Sequence, residues 1–247
     1  SDGEAGNMRG ARDGATYYVD GVRVIGSASV PQSAIDQVEV LLSGLPAMYG
    51  DATGGIINMT TKGPSRTFGA GIEMETSELL DGYGHSRAGL NVQGPLIKGK
   101  HSETALLGFF LSGEVNYNRD GALSAVGHYK ATDEWLEFLK TNPIRVSGSG
   151  AGTYLNGEYT RMGSMEYIKN SQNTSGWSAN FAGNINVRTT ETINLTFGGT
   201  FNTGKSNSYS RGNAYFNYDK NAVSAYKTWR VYGRFTQRFP TPQTVYC

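Results

Sequence analysis

Cysteine is almost missing from this chain of 247 residues: Cys247, at the last position, stands alone, so no internal disulfide frame is available. Histidine is scarce as well. His85, His101 and His128 fall in three separate connections, without the spacing or thiol partners of a metal site, and no metal is expected. No apolar run approaches the ~18 residues of a membrane-crossing helix, which excludes a helical membrane protein. Runs of lysine and arginine are absent and the net charge is +1, so nucleic acid is not the expected partner. No G-x-S-x-G elbow occurs, and Cys247 has no base near it in sequence. Gly54-Gly55 lacks the lysine and spacing of a phosphate loop and reads as a tight turn. Neither an enzyme nor a cofactor is expected.

The segment after Arg66 instead has a period of two. Phe68, Ala70, Ile72 and Met74 alternate with Gly69, Gly71, Glu73 and Glu75, and a strand places such sets on opposite faces. The pattern recurs five times. Ala88, Leu90, Val92 and Leu96 form one apolar set; Phe109, Leu111, Val115 and Tyr117 the next; then Trp177, Ala179, Phe181, Ile185 and Val187. Ile193, Leu195, Phe197 and Phe201 follow, and finally Trp229, Val231, Phe235 and Phe239. Glu73, Glu75, Arg87, Glu114, Arg188, Arg230, Arg234 and Arg238 all fall on the opposite parity. An arginine or lysine facing lipid at mid-bilayer costs ~2–4 kcal/mol, so this segregation is what a lipid-facing wall requires.

Connection lengths alternate too. Links 97–104 and 189–191 are short, whereas Arg119–Ser175 and Gly204–Tyr226 are long, the pattern of short periplasmic turns and long external loops. Within the first long stretch, Asp133–Lys140 predicts about two helical turns, ended by Asn142-Pro143, and Met165–Lys169 another short turn. Trp177 and Trp229 are expected at the outer ends of the fourth and sixth strands, where aromatic rings suit the headgroup boundary. A soluble carbohydrate-binding sandwich also alternates, but its strands are typically ~5–6 residues, against the ~9–11 of a tilted membrane strand.

The first 65 residues carry motifs. Ile35–Lys62 reads I-D-Q-V-E-V-L-L-S-G-L-P-A-M-Y-G-D-A-T-G-G-I-I-N-M-T-T-K, preceded by Met8-Arg9-Gly10 and by Tyr17-Tyr18-Val19-Asp20-Gly21-Val22. In content and order these resemble the end of the plug domain of the TonB-dependent outer-membrane transporters. One departure is Leu42-Ser43-Gly44, where that family usually has an arginine that pins plug to wall; Arg9 is the remaining candidate.

The resemblance implies an all-β transmembrane barrel, here a fragment of about six antiparallel strands from roughly 22, with a small α+β plug in its lumen. The domain expectation is a plug over residues 1–65, N-terminally incomplete, and the start of the barrel over 66–247, with a long external loop at 119–175. The polar opening residues carry no export signal, so a mature or truncated product is expected. Glu73 and Glu75 share a strand face about 7 Å apart; with Glu114 and Arg9 they are expected in a plug–barrel ion network rather than in catalysis. The family's upper plug loops map onto Arg12, Asp13, Val24, Ile25, Ser27 and Ser29 as ligand-binding candidates. The function implied is TonB-dependent uptake of a scarce or large ligand (siderophore, cobalamin, oligosaccharide or peptide) across a Gram-negative outer membrane, as a multi-pass protein. TonB and outer-membrane lipid are the implied partners, and Gly94-Pro95-Leu96 resembles a branch in which some members carry a surface lipoprotein. The alternative is a plugged barrel with a structural or secretion-associated role.

Overall fold

The Asp20-Gly21 pair sets the first corner of the fold. In the computed structural model, which describes residues 15–24, 30–42, 55–65, 67–80, 82–98, 105–190 and 192–238, both residues have positive φ, 52° and 77°. That is the geometry of a two-residue hairpin, for which Asp-Gly is a preferred sequence. It joins β1 (Thr16–Val19) to β2 (Val22–Arg23), with Val19 opposite Val22. A single 3₁₀ turn, Gln32–Ala34, leads into β3 (Ile35–Leu41), and β4 (Ile56–Thr61) completes a four-stranded sheet of order β2-β1-β4-β3. β1 and β4 are parallel and β3 is antiparallel to β4.

The rest is one antiparallel wall with an elaborated outer end. Its strands are β5 (Gly69–Thr76), β6 (His85–Lys98) and β7 (Ala105–Asn118). The long connection then holds β8 (His128–Ala131), α1 (Asp133–Thr141), β9 (Ile144–Val146), β10 (Thr153–Leu155) and β11 (Met165–Ile168). The wall resumes with β12 (Gly176–Arg188), β13 (Ile193–Asn207) and β14 (Val223–Gln237). Neighbours in the sheet are neighbours in sequence along the wall, β5-β6-β7-β12-β13-β14. Strands of 13–15 residues exceed the ~9–11 needed to cross hydrocarbon.

The wall is inside-out relative to a water-soluble sheet. Its apolar parity is the open face: Met74 is 82% exposed, Trp229 75% and Val231 74%, with Ile72, Leu90, Leu111, Phe197 and Phe235 also exposed. Its polar parity is the covered face, where Ser112, Asn180, Asn184, Thr200 and Asn202 are all buried. Registry keeps the open face continuous, as in the cross-strand row Ile72, Leu90, Gly113, Phe181, Phe201, Trp229. Gly113 belongs in that row because a β-carbon there would stand 3.0 Å from the Phe181 ring, which lies across it. No apolar layer packs on this face among the described residues.

Three local expectations change. Met165–Ile168 is a strand paired with His128–Ala131, not a helical turn; Tyr167 opposite Tyr129 gives it a cross-strand aromatic contact at 5.7 Å. The stretch Gly204–Tyr226 is strand at both ends, 204–207 and 223–226, leaving the shorter 208–222 as the connection between β13 and β14. Pro95, which has no N–H for a ladder, marks a register shift in β6 after which Ile97, rather than Leu96, stands opposite Leu107. The link 99–104 lies outside the described residues.

Candidate functional site

Two regions bring polar groups together: the seam where the four-stranded sheet meets the covered face of the wall, and the connections at the wall's outer end. At the seam the hairpin turn positions Asp20. Its Oδ1 accepts from the Thr61 amide and its Oδ2 from the Thr61 hydroxyl, both at 2.8 Å, which ties the turn to the end of β4. Oδ2 also accepts from the hydroxyl of Tyr232 on β14, at 2.8 Å. Next to it, Asn184 of β12 donates to the Lys62 carbonyl at 3.0 Å and to Thr61 Oγ1 at 3.4 Å.

The 3₁₀ turn makes the second set of contacts. Ser33 and Ser112 hydroxyls meet at 2.7 Å in a buried bond, and Ala34 packs with Phe110 and Ala182, with Val30 against them. Phe110 is fully buried although it lies on the wall's polar parity. The Gln32 amide donates to Glu114 Oε2 at 3.3 Å, and the Arg87 guanidinium donates to the Gln32 side-chain oxygen.

Arg87 is the centre of the charged cluster. It faces Glu114 at 3.2 Å, Glu75 at 3.3 Å and Glu73 at 3.7 Å, so the three carboxylates converge on one guanidinium from the adjacent strands. These glutamates do come together, but the cation that gathers them belongs to the wall, and Gln32 is the described seam residue that joins them. Arg9, Arg12, Asp13, Ile25, Ser27 and Ser29 lie outside the described residues. Val24 is described: it is buried, and its amide donates to the Tyr17 carbonyl at 2.8 Å. Trp177 is the second residue of β12, beside Tyr117 and Lys205, whereas Trp229 lies six residues inside β14, opposite Phe201. Asp20, Tyr232, Phe110, Gln32 and Ser33 were not singled out by sequence. Phe110 and Tyr232 did leave a signal, as large aromatics on a parity otherwise polar.

At the outer end, the connection between β7 and β12 is fastened at its base by Asp120, a buried carboxylate. It accepts from the amides of Ala122 (2.8 Å) and Ser171 (2.7 Å) and from the hydroxyls of Ser171 and Thr174. Burial pushes this carboxyl up, but the hydrogen bonds from Ser171, Ala122 and Thr174 outweigh it and hold the group below its ordinary value. Higher up, Lys130 bonds Glu166 at 2.6 Å, which raises the ammonium's pKa and ties β8 to β11. Helix α1 is capped by Thr132, whose hydroxyl accepts from the Trp135 amide; Trp135 stacks on Phe138 at 5.0 Å and donates from its indole to Thr160. Asn221, in the 208–222 connection, donates to the carbonyls of Gln172 (3.2 Å) and Asn173 (3.0 Å), joining the two long connections. No group of three His, Cys, Asp or Glu side chains suited to a metal occurs among the described residues.

No protein-family model matches the chain. Over 96 residues it is 38% identical to a probable TonB-dependent siderophore receptor, PirA, of Acinetobacter baumannii, a match covering 38% of this chain and 12% of that one. Among solved structures it is similar to Pseudomonas aeruginosa FpvA bound to heterologous pyoverdines: TM-score 0.53 and 16% identity, over 91% of this chain and 26% of that one. It is likewise similar to FpvAI in complex with pyocin S2, with TM-score 0.53 and 14% identity over the same shares. At such identities the likeness shows the fold, and the chain spans about a quarter of the FpvA length.

Proposed function

We propose, for a chain that shares the plug-and-barrel-wall fold of the TonB-dependent outer-membrane receptors, that it serves TonB-coupled uptake of a scarce or large ligand across the outer membrane. The observation that carries this reading is the inverted wall: apolar side chains open on one face, and on the other a polar surface bonded to a separate small sheet through Tyr232–Asp20 and Ser33–Ser112. An outward apolar face suits lipid, and a covered polar face suits a lumen filled by protein. Residues 1–65 are then the plug and 66–247 the wall, crossing the membrane repeatedly. Open sheet edges do not survive in hydrocarbon, so the reading requires further strands beside β5 and β14.

In this reading ligand contacts fall on Arg12, Asp13, Val24, Ile25, Ser27 and Ser29, the positions that the resemblance maps onto the family's upper plug loops. A siderophore is the first ligand class to test, because PirA bears that description; cobalamin, oligosaccharide and peptide follow. TonB is the energising partner, and a surface lipoprotein is a further candidate partner. The decisive measurement is uptake of radiolabelled ferric siderophores by cells with and without TonB. Uptake that persists without TonB sinks the coupling. Ligand binding that is unchanged after joint replacement of Arg12, Asp13 and Ser27 by alanine sinks the site assignment.

A further inference from the structure

A cavity of about 510 Å³ lies between the two long outer connections, bordered by His128, Gln172, Tyr209, Arg211, Tyr215 and Asn221 among others. Its volume is in the range of small-molecule sites, ~300–1,000 Å³. It is built rather than incidental: Asn221 is buried and bonded to the Gln172 and Asn173 carbonyls, and Asn173 returns a bond to the Tyr218 carbonyl at 2.9 Å. The Asp120–Ser171–Thr174 network stands directly below, and the Ala131 amide bonds the Tyr215 carbonyl at 2.9 Å. Both walls of the cavity are thus held in place without a ligand, which spares a ligand the ordering that a loose loop pair would require.

The lining has a definite chemistry. His128 is anchored by its Nε2, which donates to the Ala122 carbonyl at 2.9 Å, and its ring lies 5.8 Å from that of Tyr209. Tyr215 adds a third ring. Arg211 is the one charged side chain in the lining, and it makes no ion pair among the described residues. Rings favour a planar π-bearing group, and a guanidinium fork matches the two oxygens of a carboxylate.

The geometry points to a ligand site for aromatic carboxylates in this cavity, outside the seam and above the wall. This deepens the uptake reading by supplying a first point of contact, and it rests on that reading for which end of the wall faces the medium. Binding here is non-covalent and needs no energised partner.

The test uses the intact protein in detergent with 4-fluorobenzoate as probe, followed by fluorine NMR line broadening. Saturable binding is expected, with benzoate competing at least about tenfold better than benzyl alcohol or cyclohexanecarboxylate, which lack the charge and the aromatic π system respectively. Arg211→Gln should weaken binding about tenfold, Arg211→Lys less, and the pair Tyr209→Ala and Tyr215→Ala should also weaken it, with far-UV circular dichroism unchanged. Equal binding by wild type and Arg211→Gln overturns the proposal, as does benzyl alcohol competing as well as benzoate. Loss of TonB dependence in cells would sink the uptake reading while leaving this binding intact, so the two failures are distinguishable.

Discussion

The phenol of Tyr232 on the wall donates a 2.8 Å hydrogen bond to the Asp20 carboxylate of the plug sheet, 212 positions earlier in the chain. The same carboxylate is anchored by the backbone and hydroxyl of Thr61. Replacing Tyr232 by Phe should cost about 1.5–3 kcal/mol of seam stability, the range for a bond to a charged acceptor. Asp20→Ala should cost more, since it also strips Thr61 and places alanine at a positive φ, which Asn tolerates better. Hydrogen exchange at the Thr61 amide reads the order: Asp20→Ala fastest, then Asp20→Asn. Equal protection in all variants would remove the latch.

Tyr232 lies over Gly198 of the neighbouring strand, where a β-carbon would stand 2.5 Å from the phenol oxygen. Gly198→Ala therefore pushes the ring aside and should loosen the Thr61 amide much as Tyr232→Phe does. Combined, the two changes should sum to less than their separate effects, because both act on one bond. Full additivity in the exchange measurement would show that they act separately.

Phe110→Ala should open the 31–34 turn. The ring is fully buried beside Ala34 and Ala182, and such truncations cost about 3–5 kcal/mol. Exchange at the Ala34 amide, bonded to the Pro31 carbonyl at 2.9 Å, should accelerate by at least about tenfold, the factor given by 1.4 kcal/mol. An unchanged rate would place the turn's stability elsewhere.

Leu111→Arg and Val231→Arg test the wall's outward face. Each should destabilise folding into lipid vesicles by about 2–4 kcal/mol, read from denaturant titration. A soluble sheet would instead tolerate arginine at these exposed positions and gain solubility.

Acid should loosen the base of the connection between β7 and β12. The Asp120 pKa is lowered by folding, so its contribution is present above the unfolded value, about 3.9, and is lost as pH falls through the folded value. Protection of the Ser171 amide should fall over that window. In Asp120→Asn it should be weaker at neutral pH and flat across the acid range.

The wall was legible because an open apolar face and a covered polar face impose a period of two over more than ten residues. Phe110 and Tyr232 break that period, and both touch the plug; an aromatic on the polar parity was the missed sign of a contact inside the lumen. Arg87 escaped because strand register, rather than spacing along the chain, brings Glu73, Glu75 and Glu114 to it. Four-residue strands such as Met165–Ile168 are too short for alternation to distinguish them from a turn. Trp229 was expected at a strand end because β14 begins earlier, at Val223, than its apolar pattern does.

The Phe110 patch differs in kind from the rest of the seam. Water can take the place of Tyr232, Asn184 or Ser112 at their partners one bond at a time, but it offers nothing to Phe110, Ala34, Ala182 and Val30. Displacement of the small sheet should therefore begin at Asp20 and swing about Ala34 as a pivot. In the uptake reading, cysteines at 20 and 232 joined by a bifunctional cross-linker as long as the phenol they replace, a span too wide for a disulfide, should block uptake, whereas a disulfide joining positions 34 and 182 should leave it largely working; the reverse result would relocate the pivot.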